Sequence, residues 1–384
     1  MQEFLNQYKD ELLRKVIPFW MAHSRDDEYG GYLTSLDRDG TVFDTDKWMW
    51  LQGREIWTFA TLYTKVERRP EWLAMALHGA DFIRRFGTDG NGDFYFGLTR
   101  DGKPLVQPYN IFSDCFCCMG LVALDAAQPG SGYGAEAKKI FQRILDRRDN
   151  PKGKYNKLYP GTRPLKSFSL PMILCNLALE MEPVLGSEYV NRLVRDLAAE
   201  IMRDYYKEEF GCVLENVAPD GSFVDSFEGR TLSPGHGIEA MWFLMDIGER
   251  LGDTGLIRRA ADITLQTLEK GWDREFGGIF YFLDVKGKYP LQLEWDQKLW
   301  WVHLESLVAC CKGFLHTGDG RLEEWFRQIH GYTWDHFADP EYPEWYGYLS
   351  RHGNTLFPFK GGKWKGCFHL PRALLQIWRT LEKM

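Results

Sequence analysis

The chain has 384 residues, a formal net charge of -7 and 15% aromatic residues. An acidic balance without a basic tail leaves no electrostatic footprint for a phosphate backbone, which excludes nucleic acid as a main partner. With 44% hydrophobic and 26% charged residues the composition is globular rather than disordered, and no apolar run reaches the roughly 18 to 20 residues of a membrane helix.

In chain order, an amphipathic helix is predicted over 4–23, followed by the segment DDEYGGYLTSLDRDG from Asp26 and a helix apolar nearly all round over 48–65. The same order returns five times. The amphipathic helices fall at 70–86, 135–148, 188–205, 253–270 and 320–337, and the apolar ones at 111–127, 167–181, 236–251, 298–314 and 367–383. The Gly/aromatic/acidic segments between them start at Asp89, Asp149, Lys207, Asp273 and Asp339, so the six copies are spaced by about 58 to 66 residues. Each copy reads as a short β-hairpin. A helix apolar on every side is buried on every side. Six buried helices ringed by six amphipathic ones predict an all-α (α/α)6 barrel with the hairpins at one mouth. No Pro/Ser-rich or low-complexity stretch interrupts the period, so 1–384 is expected to be one domain.

The charged, amphipathic start is unlike a secretory signal, and a cytoplasmic protein is expected. The clustered Cys115, Cys117, Cys118, Cys310 and Cys311 make a poor disulfide framework and read as buried small hydrophobes. Cys115 and Cys118 have C-x-x-C spacing, but no second pair completes a zinc site.

Polar groups in the first turns of buried helices are either hydrogen-bonded core residues or an active site. They are Arg54, Asp114, His236, Glu239, Trp301, His303, Glu305, His369 and Arg372. His236/Glu239 and His369/Arg372 are both i, i+3 pairs, each on one helix face near an N-terminus. A lone buried histidine is usually structural; two such pairs at equivalent places in a repeat favour function. Metal-ligand spacing, a nucleophile elbow and phosphate-binding fingerprints are absent from the sequence, so no metal is expected. Acid/base work by histidines remains, with a cation holding a developing oxyanion. Trp48, Trp50, Tyr109, Trp301, Trp364 and Phe368 beside these groups suit a sugar ring or open-chain polyol, although tryptophans at helical spacing more often form core. The basic stretch 138–166 holds Lys152, Lys154 and Lys157 in a Gly-containing loop that could take a phosphate, against the alternative of a solvated face.

LQGREIWTFA, VQPYNIFSDCF, DNPKGKYNKLYPGTRP, LENVAPDGS, PGHGIEAMWFLMDI, QLEWDQKLWWVHLES and KGGKWKGCFHLPRAL together resemble the N-acyl-D-glucosamine 2-epimerase family over almost the entire chain. The resemblance implies interconversion of N-acetylglucosamine and N-acetylmannosamine, with His236 and His369 as the catalytic pair. Arg54, Glu239 and Glu305 match substrate-site positions. It further implies a homodimer, no chemically required cofactor, and ATP as a non-consumed activator at the loop with Lys152, Lys154 and Lys157. Asp114, Trp301, Trp364 and Arg372 complete the expected substrate site. Related enzymes acting on disaccharides carry a further histidine on the third inner helix, and 167–181 contains none, which argues against a disaccharide. An aldose-ketose isomerase on the same scaffold, an inverting glycoside hydrolase using Asp114, Glu239 and Glu305, and a non-enzymatic binding role are the competing readings.

Overall fold

The helices that are apolar nearly all round form an inner ring: Met49–Lys65, Phe112–Ala127, Ser169–Glu180, Pro234–Leu251, Trp300–Thr317 and His369–Leu381. This computed structural model describes residues 1–159 and 161–384; Pro160, within the third repeated segment, lies outside the described residues. Consecutive inner helices pack side by side from the first to the sixth. The ring closes where Thr58 Oγ1 donates to the Cys367 carbonyl (2.7 Å) and Trp57 meets Phe368.

The amphipathic helices form the outer ring. The first runs through Leu5–Asp10, a π-helical stretch Glu11–Val16 and Ile17–His23, and packs on the sixth inner helix. Pro70–Phe86, Tyr133–Asp146, Ser187–Glu200, Thr254–Gly271 and Gly320–His336 each pack on the inner helix that precedes them. The architecture is therefore the expected (α/α)6 barrel. All eight cysteines are free and buried, as small hydrophobes in such a core should be. No helix among the described residues is long and apolar enough to cross a membrane.

The β-structure differs from six independent hairpins. Local hairpins form in the first, second, fourth and sixth copies, whereas the described residues of the third copy carry one 3-10 turn, Gly153–Tyr155, and no hairpin. The strand entering one inner helix pairs instead with a strand from the following copy. Lys47–Trp48 pairs with Gly97–Leu98, Lys166–Ser167 with Asn216–Val217, Thr231–Leu232 with Leu283–Asp284, and Lys298–Leu299 with Tyr348–Leu349. Leu36 exchanges backbone bonds with Lys360 and Gly361, so the last copy meets the first.

Buried charge reinforces this linkage at three of the six positions. The leading Asp of a copy accepts from the Lys that enters the next inner helix and from an Arg of the following copy. Asp26 takes Lys47 (2.8 Å) and Arg100, Asp273 takes Lys298 (3.0 Å) and Arg351, and Asp339 takes Lys360 (2.7 Å) and Arg38. Each Lys is fully buried, which is tolerable only because its ammonium is paired and hydrogen-bonded.

The first and second inner helices cross at glycines. A Cβ on Gly53 would stand 2.4 Å from the Phe116 backbone, and one on Gly120 would stand 2.6 Å from the Gly53 carbonyl. The approach is backbone on backbone, so no side-chain rotation relieves it. Gly53→Ala should lower unfolding stability by about 2 to 3 kcal/mol through overpacking. Gly331→Ala, in an outer helix with open space around its Cβ, should raise it by about 0.5 to 1 kcal/mol. Urea unfolding midpoints of the two variants check both signs.

Candidate active site

The fourth inner helix starts with Pro234 at its first position, and Ser233 caps it by accepting from the His236 amide (3.4 Å). His236 and Glu239 then lie on the face turned to the ring's interior. The sixth inner helix begins at His369, and Arg372 follows one turn later. The Trp301 indole of the fifth helix lies between the two imidazoles, with ring centroids 5.1 Å from His236 and 5.7 Å from His369. The two histidines thus flank one indole near the N-termini of their helices.

Each imidazole is held by a carboxylate through the same nitrogen. His369 Nδ1 lies 2.7 Å from Glu305 Oε1, and His236 Nδ1 lies 3.0 Å from Glu215 Oε1. An ionised carboxylate only accepts, so both Nδ1 atoms carry protons and both Nε2 atoms are left for chemistry. Beneath them, Arg372 bonds Glu239 and Glu305 (the latter at 2.7 Å), while Trp242 Nε1 donates to Glu305 Oε2 at 2.9 Å. Glu239, Glu305 and His369 bring ligand-type atoms within 4.8 Å of one another, and the positive charge already between the carboxylates is the Arg372 guanidinium.

Arg54 is arranged differently. Its guanidinium carbon sits 4.3, 3.9 and 4.6 Å from the Trp50, Phe116 and Phe368 ring centroids. Among the described residues it has no hydrogen-bonded or ion-paired acceptor, although the side chain is only 6% exposed. Desolvated cation-π contacts return about 2 kcal/mol each, which offsets part of the several kcal/mol that burying an ion costs. Burial, then the repulsion of Arg372, brings its pKa down to about 9, so it stays charged at neutral pH.

The two imidazoles titrate in opposite directions. Burial pulls His369 well below its ordinary value, and Arg54 and Arg372 add to that, so it is neutral. Burial opposes protonation of His236 as well, but the charge and hydrogen bond of Glu215, with Glu239, outweigh it and the net shift is upward.

Of the residues expected at the site, Arg54, His236, Glu239, Trp301, Glu305, His369 and Arg372 come together. Arg372 bonds both Glu239 and Glu305, so the substrate contacts expected of these three residues would be made from within one buried network. Asp114 turns away from the cluster. Its Oδ1 takes Arg147 (3.2 Å) and the Phe94 amide from the outer side of the second inner helix, and burial raises its pKa to about 7. Trp364 is 51% exposed at the lip, one ring removed from Arg54 through Trp50 (5.6 Å), and lines a groove of about 350 Å³ with Trp48, Phe43 and Phe359. Lys152, Lys154 and Lys157 are exposed on the third loop, and no carboxylate among the described residues pairs with them. His303 is structural: Ile279 N–H donates to its Nε2 and its Nδ1 bonds the Leu299 carbonyl. The residue not anticipated is Glu215, which lies inside the LENVAPDGS segment.

The sequence pattern of the N-acylglucosamine 2-epimerase (GlcNAc 2-epimerase) family matches residues 31–373. The chain is 39% identical to N-acylglucosamine 2-epimerase from Bos taurus over 100% of this chain and 93% of that protein. It is 37% identical to the Homo sapiens enzyme of the same name over 97% and 90%. Cellobiose 2-epimerase from Bacillus thermoamylovorans B4167 superposes with a TM-score of 0.85 at 20% identity, covering 99% of this chain and 100% of that one.

The environment of His236 gives a direct check. Glu215→Gln removes the larger charge that lifts its pKa and leaves Glu239 alone against burial and Arg54. An imidazole NMR titration should then place His236 at least one unit below wild type.

Proposed function

The chain belongs to the N-acylglucosamine 2-epimerase family and is a sugar epimerase, and we propose that it interconverts N-acetyl-D-glucosamine and N-acetyl-D-mannosamine by carrying the C2 proton between His369 and His236. The observation that carries this reading is the pair of oppositely titrated imidazoles in one space, beside a buried guanidinium that has no partner of its own.

In the open-chain sugar, C2 lies α to the C1 aldehyde. His369 starts neutral with Nε2 free, and removes the C2 proton as charge moves onto the carbonyl oxygen. Arg54 meets that charge. An unpaired, desolvated cation contributes far more to a developing oxyanion than one already neutralised by a carboxylate. His236 starts charged and delivers its Nε2 proton to the opposite face of C2, which inverts the centre. Glu305 and Glu215 hold the two rings by Nδ1 throughout. In the reverse direction the histidines exchange roles. No electron leaves the substrate, so the reaction needs no redox cofactor, and Arg54 supplies the charge stabilisation that a metal ion could otherwise provide.

The same reading includes a cytoplasmic homodimer activated by ATP that is not consumed. The loop with Lys152, Lys154 and Lys157 suits polyphosphate charge because its ammonium groups are exposed and unspent on carboxylates.

N-acetylmannosamine in deuterated water should acquire label at C2 and yield N-acetylglucosamine without a ketose, read by proton NMR. His236→Asn and His369→Asn should each reduce turnover by at least about 10³-fold with the fold intact. Turnover persisting in both variants overturns the assignment, and ketose formation transfers it to an isomerase.

Lys154→Ala should raise the ATP concentration needed for half-maximal activation while leaving the rate at saturating ATP unchanged. A loss of rate at every ATP concentration would remove the effector role of the loop.

A further inference from the structure

Glu305 has two oxygens and three donors. Oε1 takes the His369 Nδ1–H (2.7 Å) and Arg372 (2.7 Å), and Oε2 takes the Trp242 indole N–H (2.9 Å). Trp242 lies one helical turn beyond Glu239, so His236, Glu239 and Trp242 form one stripe along the fourth inner helix. The indole is 1% exposed, with Phe243 meeting it edge-on at a centroid distance of 4.2 Å, Lys312 Nζ 4.9 Å from its ring and the Arg372 guanidinium at 5.2 Å. Glu215 has no such second donor: His236 is its only side-chain partner among the described residues.

We propose that Trp242 is a positioning residue for the epimerisation, whose N–H locks the Glu305 carboxylate and weakens its hold on the His369 imidazole proton. The inference rests on His369 acting as the base.

Two physical effects follow from one hydrogen bond. The terminal carboxylate torsion of Glu is broad and shallow, so a donor on each oxygen is what fixes its plane. With the plane fixed, Oε1 points at Nδ1 and the imidazole turns its Nε2 into the shared space. A donor on Oε2 also draws charge from Oε1, making it a weaker acceptor for Nδ1–H. His369 then holds its neutral form to lower pH. The groups that set its titration come from four inner helices: Arg54 from the first, His236 and Glu239 from the fourth, Glu305 from the fifth and Arg372 from its own. Trp242 is the one member of this network that carries no charge, so replacing it changes no Coulomb partner directly.

The test uses Trp242→Phe and, independently of how that variant packs, the isosteric tryptophan analogue in which sulfur replaces the indole N–H. For both, kcat should fall about tenfold with KM for N-acetylmannosamine within about twofold, the cost of leaving one buried carboxylate oxygen without its donor. The acidic limb of the kcat profile should move to higher pH by about half a unit or more. Phe243→Leu disturbs the same packing without removing a donor and should leave that limb in place. An unmoved limb in the sulfur analogue, or an equal shift in Phe243→Leu, overturns the inference. His369→Asn assayed alongside separates the two levels: an active His369→Asn refutes the base assignment itself, whereas an inactive one with an unmoved limb in the analogue refutes only the role of Trp242.

Discussion

Arg372 ties three of the six inner helices together at the level where the chemistry is proposed. It starts on the sixth helix and bonds Glu239 of the fourth and Glu305 of the fifth, all three nearly inaccessible to water. Buried charges persist only where partners and hydrogen bonds are complete, so this bridge constrains everything around it. Both nearby carboxylates are committed to Arg372, and Glu305 also to His369 and Trp242. Arg54 has ring faces as its close contacts, with Glu239 and Glu305 acting on its charge only from beyond hydrogen-bond distance. The unpaired cation is thus a consequence of how the carboxylates are allotted, and it is the group best suited to meet charge that appears only during reaction.

That allotment depends on the barrel presenting inner-helix N-termini at one end. The strand entering an inner helix pairs with the following copy, and Asp26, Asp273 and Asp339 each bind a Lys from their own copy and an Arg from the next. The loops are therefore fastened to one another around the mouth rather than closed individually. His369 benefits most directly. The chain leading to it is pinned by Lys360 to Asp339 and by Lys365 to Glu344, the one non-glycine residue among those described with a left-handed backbone (φ 68°).

Much of this was legible without coordinates because it is periodic. The sixfold recurrence and the all-round apolar helices pointed to the barrel, and the i, i+3 spacing of His236/Glu239 and His369/Arg372 put each pair on one face. Asp114 shows where periodicity stops. It occupies the same early position on its helix as the other polar groups, but its direction depends on how that helix is rotated, and Arg147 from an outer helix claims it. Glu215 was hidden for another reason. Its partner lies 21 residues later, and the two meet where the Glu215 amide donates to the Thr231 carbonyl while Asn216–Val217 pairs back to Lys166–Ser167, associations that no local pattern encodes. The third copy carries turn residues like its neighbours but forms no hairpin among its described residues, only the 3-10 turn Gly153–Tyr155.

The two imidazoles show how identical local chemistry acquires opposite character. Both offer Nδ1–H to a glutamate and both lie in the same opening. His369, however, faces two guanidinium groups, and its glutamate shares its charge with Arg372 and Trp242. His236 has a glutamate with a single side-chain donor and is partly open to water, with 27% of its side chain exposed. A neutral His369 and a charged His236 can therefore coexist at one pH, which is what the proposed inversion at C2 requires. Once a proton has crossed the substrate the assignment is reversed, with a charged His369 between two cations and a neutral His236 beside an unpaired Glu215. That state lies higher in free energy without substrate.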